Sequence, residues 1–144
     1  MSEQIRNPNI EIRNNFEYPN FKSAPMPTND DSKPYDLEER TFQFAKASRA
    51  LVKLLAKAIS NVEDAKQFIR ASGSIGANYI EANECLGKKD FLMKIKTCRR
   101  EAKETGYWLR LLDVDCEHET ECQNLVREAG ELMNIFGAIV RKSE

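Results

Sequence analysis

The chain has 144 residues, with 22 Lys and Arg against 23 Asp and Glu, a net charge of −1, 31% charged residues and 41% hydrophobic ones. That is the length of one domain and an ordinary globular composition. The balanced charge excludes a globally basic nucleic-acid binder but leaves room for a local basic patch. All five prolines (Pro8, Pro19, Pro25, Pro27 and Pro34) precede residue 35. Proline in a helix interior costs about 3 kcal/mol. The proline-free remainder, rich in Ala, Leu, Glu and Lys, is therefore free to be helical almost throughout.

No apolar run approaches the roughly 20 residues needed to span a bilayer. The first ten residues are polar and lack a signal-peptide core, so the expected location is cytoplasmic. The four cysteines (Cys85, Cys98, Cys116 and Cys122) are then expected to stay reduced. Cys116 and Cys122 flank the only histidine, His118, but the spacing matches no common zinc pattern. Buried or partly buried thiols are expected there, not a metal.

In chain order, residues 1–35 read as an irregular Asn- and Pro-containing tail, made sticky by Ile10, Ile12, Phe16, Tyr18 and Phe21. Either a short extended stretch near residues 10–13 docks on the body or a neighbour, or the segment is a flexible arm; the composition favours the arm. Residues 36–144 read as one all-α domain. A first helix starts at an Asp36 cap with Glu38 and Glu39 in its first turn. It carries Leu37, Phe44, Leu51, Leu55 and Ala58 to about Ile59, with a turn at Ser60 and Asn61. A second starts near Val62, places Ala65, Phe68, Ser72, Gly76, Tyr79 and Asn83 on one stripe, and stops at Gly87. A third starts near residues 88–90. Its stripe of Phe91, Ile95, Cys98, Ala102, Thr105, Leu109 and Leu112 keeps strict 4-3 spacing over three heptads. A fourth starts between residues 117 and 120 and uses Cys122, Leu125, Ala129, Leu132, Phe136 and Ile139. Four such helices with short connections predict an antiparallel, up-down-up-down four-helix bundle. No strand pattern or internal repeat competes.

The second helix holds Ser72-Gly-Ser-Ile-Gly-Ala-Asn78. Two glycines inside a helix cost about 1 kcal/mol each relative to alanine. They imply that another backbone approaches closely at Gly73, Gly76 and Ala77. The run lacks the spacing and lysine of a phosphate loop. Ser74, Asn78 and Glu81 share one face of this helix, placed opposite the apolar stripe. Thr97, Glu101, Glu104 and Trp108 lie to one side of the third helix's stripe. Either these are ordinary solvated faces, or they form a second interface that hydrogen-bonds across helices or subunits. Trp108 favours the interface, because an exposed indole calls for a partner.

Glu81, Glu101 and Glu104 lack the Glu-x-x-His partners of a di-iron bundle, and His118 has no triad around it. No enzyme activity, cofactor or metal is expected. Charge is uneven: residues 88–103 hold seven basic and two acidic side chains, whereas residues 113–131 hold seven acidic and one basic. Lys89, Lys96, Arg100, Lys103 and Arg110 form a stripe along the third helix. It could contact RNA phosphates, meet the acidic segment of a second subunit in head-to-tail assembly, or be a solvated face with i,i+4 pairs.

The run Ser74-Ile75, Asn78 and Glu81, then Lys88-Lys89-Asp90-Phe91, then Glu104, Tyr107-Trp108-Leu109 resembles the pattern of the 23S rRNA intervening-sequence proteins. The match is densest over residues 72–109 and extends in helical register to about 37–142. The resemblance implies a compact bacterial four-helix bundle without established catalytic activity that assembles as a ring-like homopentamer. A related branch, the accessory proteins of diversity-generating retroelements, binds nucleic acid and a reverse transcriptase. That branch is strongly basic, unlike this chain, and the tail is not part of the family pattern. The combined expectation is a non-enzymatic, self-assembling bundle associated with RNA or ribonucleoprotein and not with membranes. Ser74, Asn78, Glu81, Glu104, Tyr107 and Trp108 would form a subunit or binding face. The alternative is a protein-binding scaffold, or a reverse-transcriptase accessory that does not itself bind RNA.

Overall fold

The computed structural model describes residues 36–144; the expectations for the tail, including residues 10–13, lie outside them. The described residues form four α-helices and no strand: α1 (Leu37–Val52), α2 (Ile59–Glu84), α3 (Lys88–Leu111) and α4 (Glu119–Ser143), with a 3-10 turn at Cys116–His118 before α4. Helix α2 packs against α1 and α3, and α4 packs against α3 and α1. This is the predicted four-helix bundle, and it needs only the short connections the sequence provides.

The stripes read from the sequence build the core. Phe44, Phe68, Phe91 and Phe136, one from each helix, are buried. All seven α3 stripe positions from Phe91 to Leu112 are buried, as are the six chosen on α4. The Tyr79 and Phe136 rings meet at 5.7 Å between α2 and α4. Asp36 caps α1 as expected, its Oδ1 accepting the Glu39 N–H at 3.2 Å, a contact worth about 1 kcal/mol.

Three boundaries differ from the reading of the sequence. Helix α1 stops at Val52, not near Ile59, because the Leu54 and Leu55 N–H groups turn back to Leu51 and Val52 carbonyls. Ala58, counted on the apolar stripe, is exposed. Helix α2 starts at Ile59, not Val62, and Asn61 lies in its first turn instead of a surface turn. Its side-chain amide donates to the Ala56 carbonyl at 3.1 Å and to the Asp113 carbonyl at 2.9 Å. Its Oδ1 accepts the Asp113 N–H at 2.9 Å. One buried side chain thus ties the start of α2 to the end of α3. Finally, Gly87 does not stop α2. It is the N-cap of α3, with φ −113°, because Cys85 has already left the helix in an extended conformation.

The close approach expected at the glycines occurs at Gly76. A Cβ there would lie 2.9 Å from Thr41 Oγ1 and 3.3 Å from Thr41 Cβ on α1. Thr41 is itself buried, with its hydroxyl donating toward the Leu37 and Glu38 carbonyls at 2.9 Å each. Gly73 faces the Arg49 side chain, and Ala77 is exposed.

Candidate functional site

Helix α3 presents two chemically different sides. Its inner side carries the buried stripe. On its outer side Lys89, Lys96, Arg100, Lys103 and Arg110 are all exposed. At 1.5 Å per residue the stripe runs about 32 Å from end to end. Lys96 approaches Glu144 Oε1 at 3.8 Å. Among the described residues the other four make no salt bridge. Tyr107 and Met93 stand on this same outer side, 56% and 61% exposed. Positions 89, 93, 96, 100, 103, 107 and 110 follow a 4-3-4-3-4-3 spacing, which keeps them on one face of the helix. The sequence reading grouped Tyr107 with Trp108; its position in the stripe was legible from that spacing.

The polar face lies along the α2–α3 seam. Glu81 Oε2 accepts from Lys94 Nζ at 2.5 Å across the seam, which raises the Lys94 pKa chiefly through that hydrogen bond. The buried Cys98 thiol reaches the Ile75 carbonyl at 3.5 Å. In this register Ser74, Asn78 and Glu81 flank α3 instead of pointing directly away from the core. Ser74 and Asn78 are half-buried, and both use their own helix: Ser74 Oγ donates to the Arg70 carbonyl and Asn78 Nδ2 to the Ser74 carbonyl, each at 2.8 Å. On α3 the Trp108 indole N–H donates to Glu104 Oε1 at 3.1 Å. Its ring meets Tyr107 edge-on, with centroids 5.1 Å apart and planes at 74°. Burial raises the Glu101 pKa, helped by the Glu104 charge and opposed by Arg100 and Arg70. Among the described residues, only the Glu81–Lys94 pair of this group joins two helices through side-chain hydrogen bonds.

Sequence reasoning missed a buried ionic clamp between α1 and α4. Arg40 Nε donates to Glu128 Oε1 at 2.9 Å, Nη2 also contacts that oxygen, and Nη2 reaches Glu131 Oε2 at 2.7 Å. Glu128 is 0% exposed, and its Oε2 has no hydrogen-bond partner. Desolvation pushes its carboxyl up to about 7; Arg40 opposes the shift and Glu131 adds to it. The clue was register: 37-40-44-47-51 on α1 and 125-128-132-135-139 on α4 are core stripes, each with one charged member. The clamp also removes Glu128 from the acidic surface that a head-to-tail contact would use.

Burial raises the Cys98 thiol to about 12 and the Cys122 thiol to about 11, which keeps both protonated and poorly nucleophilic. Cys116 is exposed. The His118 Nε2 lies 3.5 Å from Glu117 Oε1. Among the described residues no group of three or more His, Cys, Asp or Glu side chains is arranged to hold a metal ion, and no helix is long and apolar enough to cross a membrane.

A four-helix bundle with a buried 4-3 stripe and a cation-lined outer face on α3 defines the class of protein. The sequence profile of the 23S rRNA-intervening sequence proteins matches residues 34–138. The chain belongs to that family. A crystal structure of a protein of unknown function from the S23 ribosomal protein family of Bacteroides thetaiotaomicron superposes with a TM-score of 0.64 at 27% identity, covering 74% of this chain and 99% of that one. No curated protein matches the chain.

Proposed function

We propose that the protein is a non-enzymatic, self-assembling bundle whose α3 outer face docks RNA or a ribonucleoprotein. The observation that carries this reading is the row of exposed cations Lys89, Lys96, Arg100, Lys103 and Arg110, which has little internal neutralisation. Phosphate contacts made by such a row release counterions. If all the cations in the row engage a single strand, the slope of log K against log salt is about −3.5, or about a hundredfold loss between 50 and 200 mM salt. An RNA titration at these two salt concentrations tests the reading. Salt-dependent binding supports it, and absence of binding at the lower salt removes it.

Self-assembly is read from Trp108, whose half-buried indole lies next to Glu104 on α3, further along the seam than the Glu81–Lys94 pair. In this reading a second copy covers it, with the family resemblance pointing to a pentamer. Trp108→Ala should shift the protein to smaller species in light scattering; an unchanged mass would count against the interface.

A second reading, a scaffold for a protein partner, is favoured by one specific feature. Leu54, Ile59, Val62 and Leu111 are exposed at 38%, 86%, 43% and 47%, and the Asn61–Asp113 bonds bring the start of α2 to the end of α3. This end of the bundle is apolar enough for a partner to cover. Loss of partner capture on Ile59→Ser, with RNA binding unchanged, would separate the scaffold role from the RNA role.

A further inference from the structure

We infer that the RNA taken by the α3 face is unpaired, with a base stacked on the Tyr107 ring and neighbouring phosphates on Lys103 and Arg110. The inference rests on the RNA reading above and specifies the kind of RNA.

Its basis is the interruption of the basic row. The stripe contains two members without a positive charge, Met93 and Tyr107, and both are more than half exposed. Tyr107 follows Lys103 by about 6 Å along the helix axis and precedes Arg110 by about 4.5 Å. An aromatic ring is therefore flanked by a cation one turn away on either side. Cations that track the backbone, interleaved with rings on which bases stack, are the physical recipe for holding a single strand. A duplex would gain nothing from this ring, because its base faces are already stacked on one another and only their edges reach the grooves.

The ring is also prepared for stacking. Its edge-on contact with Trp108 at 5.1 Å and 74° can cover at most one face of the phenol. Trp108 is in turn held by Glu104, so Tyr107 is steadied from one side and open on the other. Ordering the ring in advance lowers the entropy lost when a base lands on it.

The test compares the intact protein with Tyr107→Ala, Tyr107→Phe and Lys103→Ala, using oligoadenylate and a blunt RNA duplex of equal charge as probes. Trp108 is the only tryptophan, so its emission reports directly on the neighbouring ring. Oligoadenylate should quench Trp108 and bind more tightly than the duplex. Tyr107→Ala should weaken oligoadenylate binding about tenfold with little change for the duplex and no change in salt slope. Tyr107→Phe should retain the affinity, because the stacking surface remains. Lys103→Ala should weaken both probes and reduce the magnitude of the oligoadenylate slope by about 0.7. If Tyr107→Ala binds oligoadenylate like the intact protein while Lys103→Ala does not, the RNA reading stands and the stacking inference falls. If Tyr107→Ala changes only the mass in light scattering, the ring belongs to a contact between copies and the inference is overturned. If the intact protein binds neither RNA, both readings fall.

Discussion

The α1–α4 seam is the least extensive in the bundle, and the buried Arg40–Glu128 pair bridges it. Arg40→Met should therefore be among the most damaging single changes. Methionine keeps an unbranched apolar stem but removes the donors that Glu128 Oε1 accepts, while Oε2 is already unpartnered. Removing one member of a buried ion pair costs about 3–5 kcal/mol, a large share of a typical domain stability of about 5–15 kcal/mol. Urea denaturation near pH 8 should register that loss. Arg40→Met combined with Glu128→Leu should recover most of it, because no charge is left buried. The loss should shrink near pH 5, where the orphaned carboxyl takes a proton. The intact protein carries a related signature. The native Glu128 carboxyl, pushed up to about 7 from an ordinary 4.5, holds its proton where the unfolded one has lost it. This contribution is fully present below about pH 4.5 and is lost as pH rises through about 7, amounting to at most about 3 kcal/mol. Glu128→Gln should flatten that slope. An Arg40→Met protein within about 1 kcal/mol of the original, or a double variant no better than the single one, would refute the claim that this pair closes the seam.

Gly76→Ala should destabilise by about 1–3 kcal/mol, because the new methyl meets a buried Thr41 that cannot retreat. Gly130→Ala on α4 meets nothing within 4 Å and should raise stability by about 1 kcal/mol; melting temperatures of the two variants check the contrast. Asn61→Ala should cost about 2–3 kcal/mol in chemical denaturation, since it leaves the Asp113 peptide without its partners. Timed alkylation of the native protein near pH 8 should modify exposed Cys116 first and spare Cys98 and Cys122 until denaturant is added, as their burial and raised thiol pKa require.

Residues whose role follows from period alone were legible in the sequence. The stripes on α3 and α4 became the core position for position, because a 4-3 repeat admits only one inward face. The α1 stripe failed where period and topology disagreed. Leu55 and Ala58 continue the pattern, yet the chain turns before them so that α2 can pack back along α1. Asn61 reads locally as a turn residue, and only the distant Asp113 makes it a buried pin. Arg40 and Glu128 were hidden for a similar reason: each is a lone charge on an apolar stripe, and only the assembled bundle shows that the two neutralise each other. On the candidate site, the cations of the outer face were legible from spacing. The polar face was legible as a grouping but not in its bonding, since Ser74, Asn78 and Trp108 turn out to satisfy their polar atoms within their own helices.

The net charge of −1 initially argues against a phosphate-binding surface, and the structure explains why it is a poor guide. Several acids that balance the basic residues are occupied elsewhere: Glu128 is buried and Glu131 contacts Arg40, and Glu81 binds Lys94. Asp113, Asp115, Glu117, Glu119 and Glu121 are gathered near the turn that follows α3. Charge is thus graded along the helix, from Lys88 and Lys89 at its start to the acidic turn beyond Arg110. The α3 macrodipole has the same sense, with its positive end at Lys88. A polyanion approaching this face therefore meets a field that favours the first half of the helix and opposes movement past the end. The same gradient provides what a second copy would need for head-to-tail contact. In the readings proposed above, the base on Tyr107 and the second copy on Trp108 both belong to the second half of α3, so RNA docking and self-assembly meet at two rings already in contact.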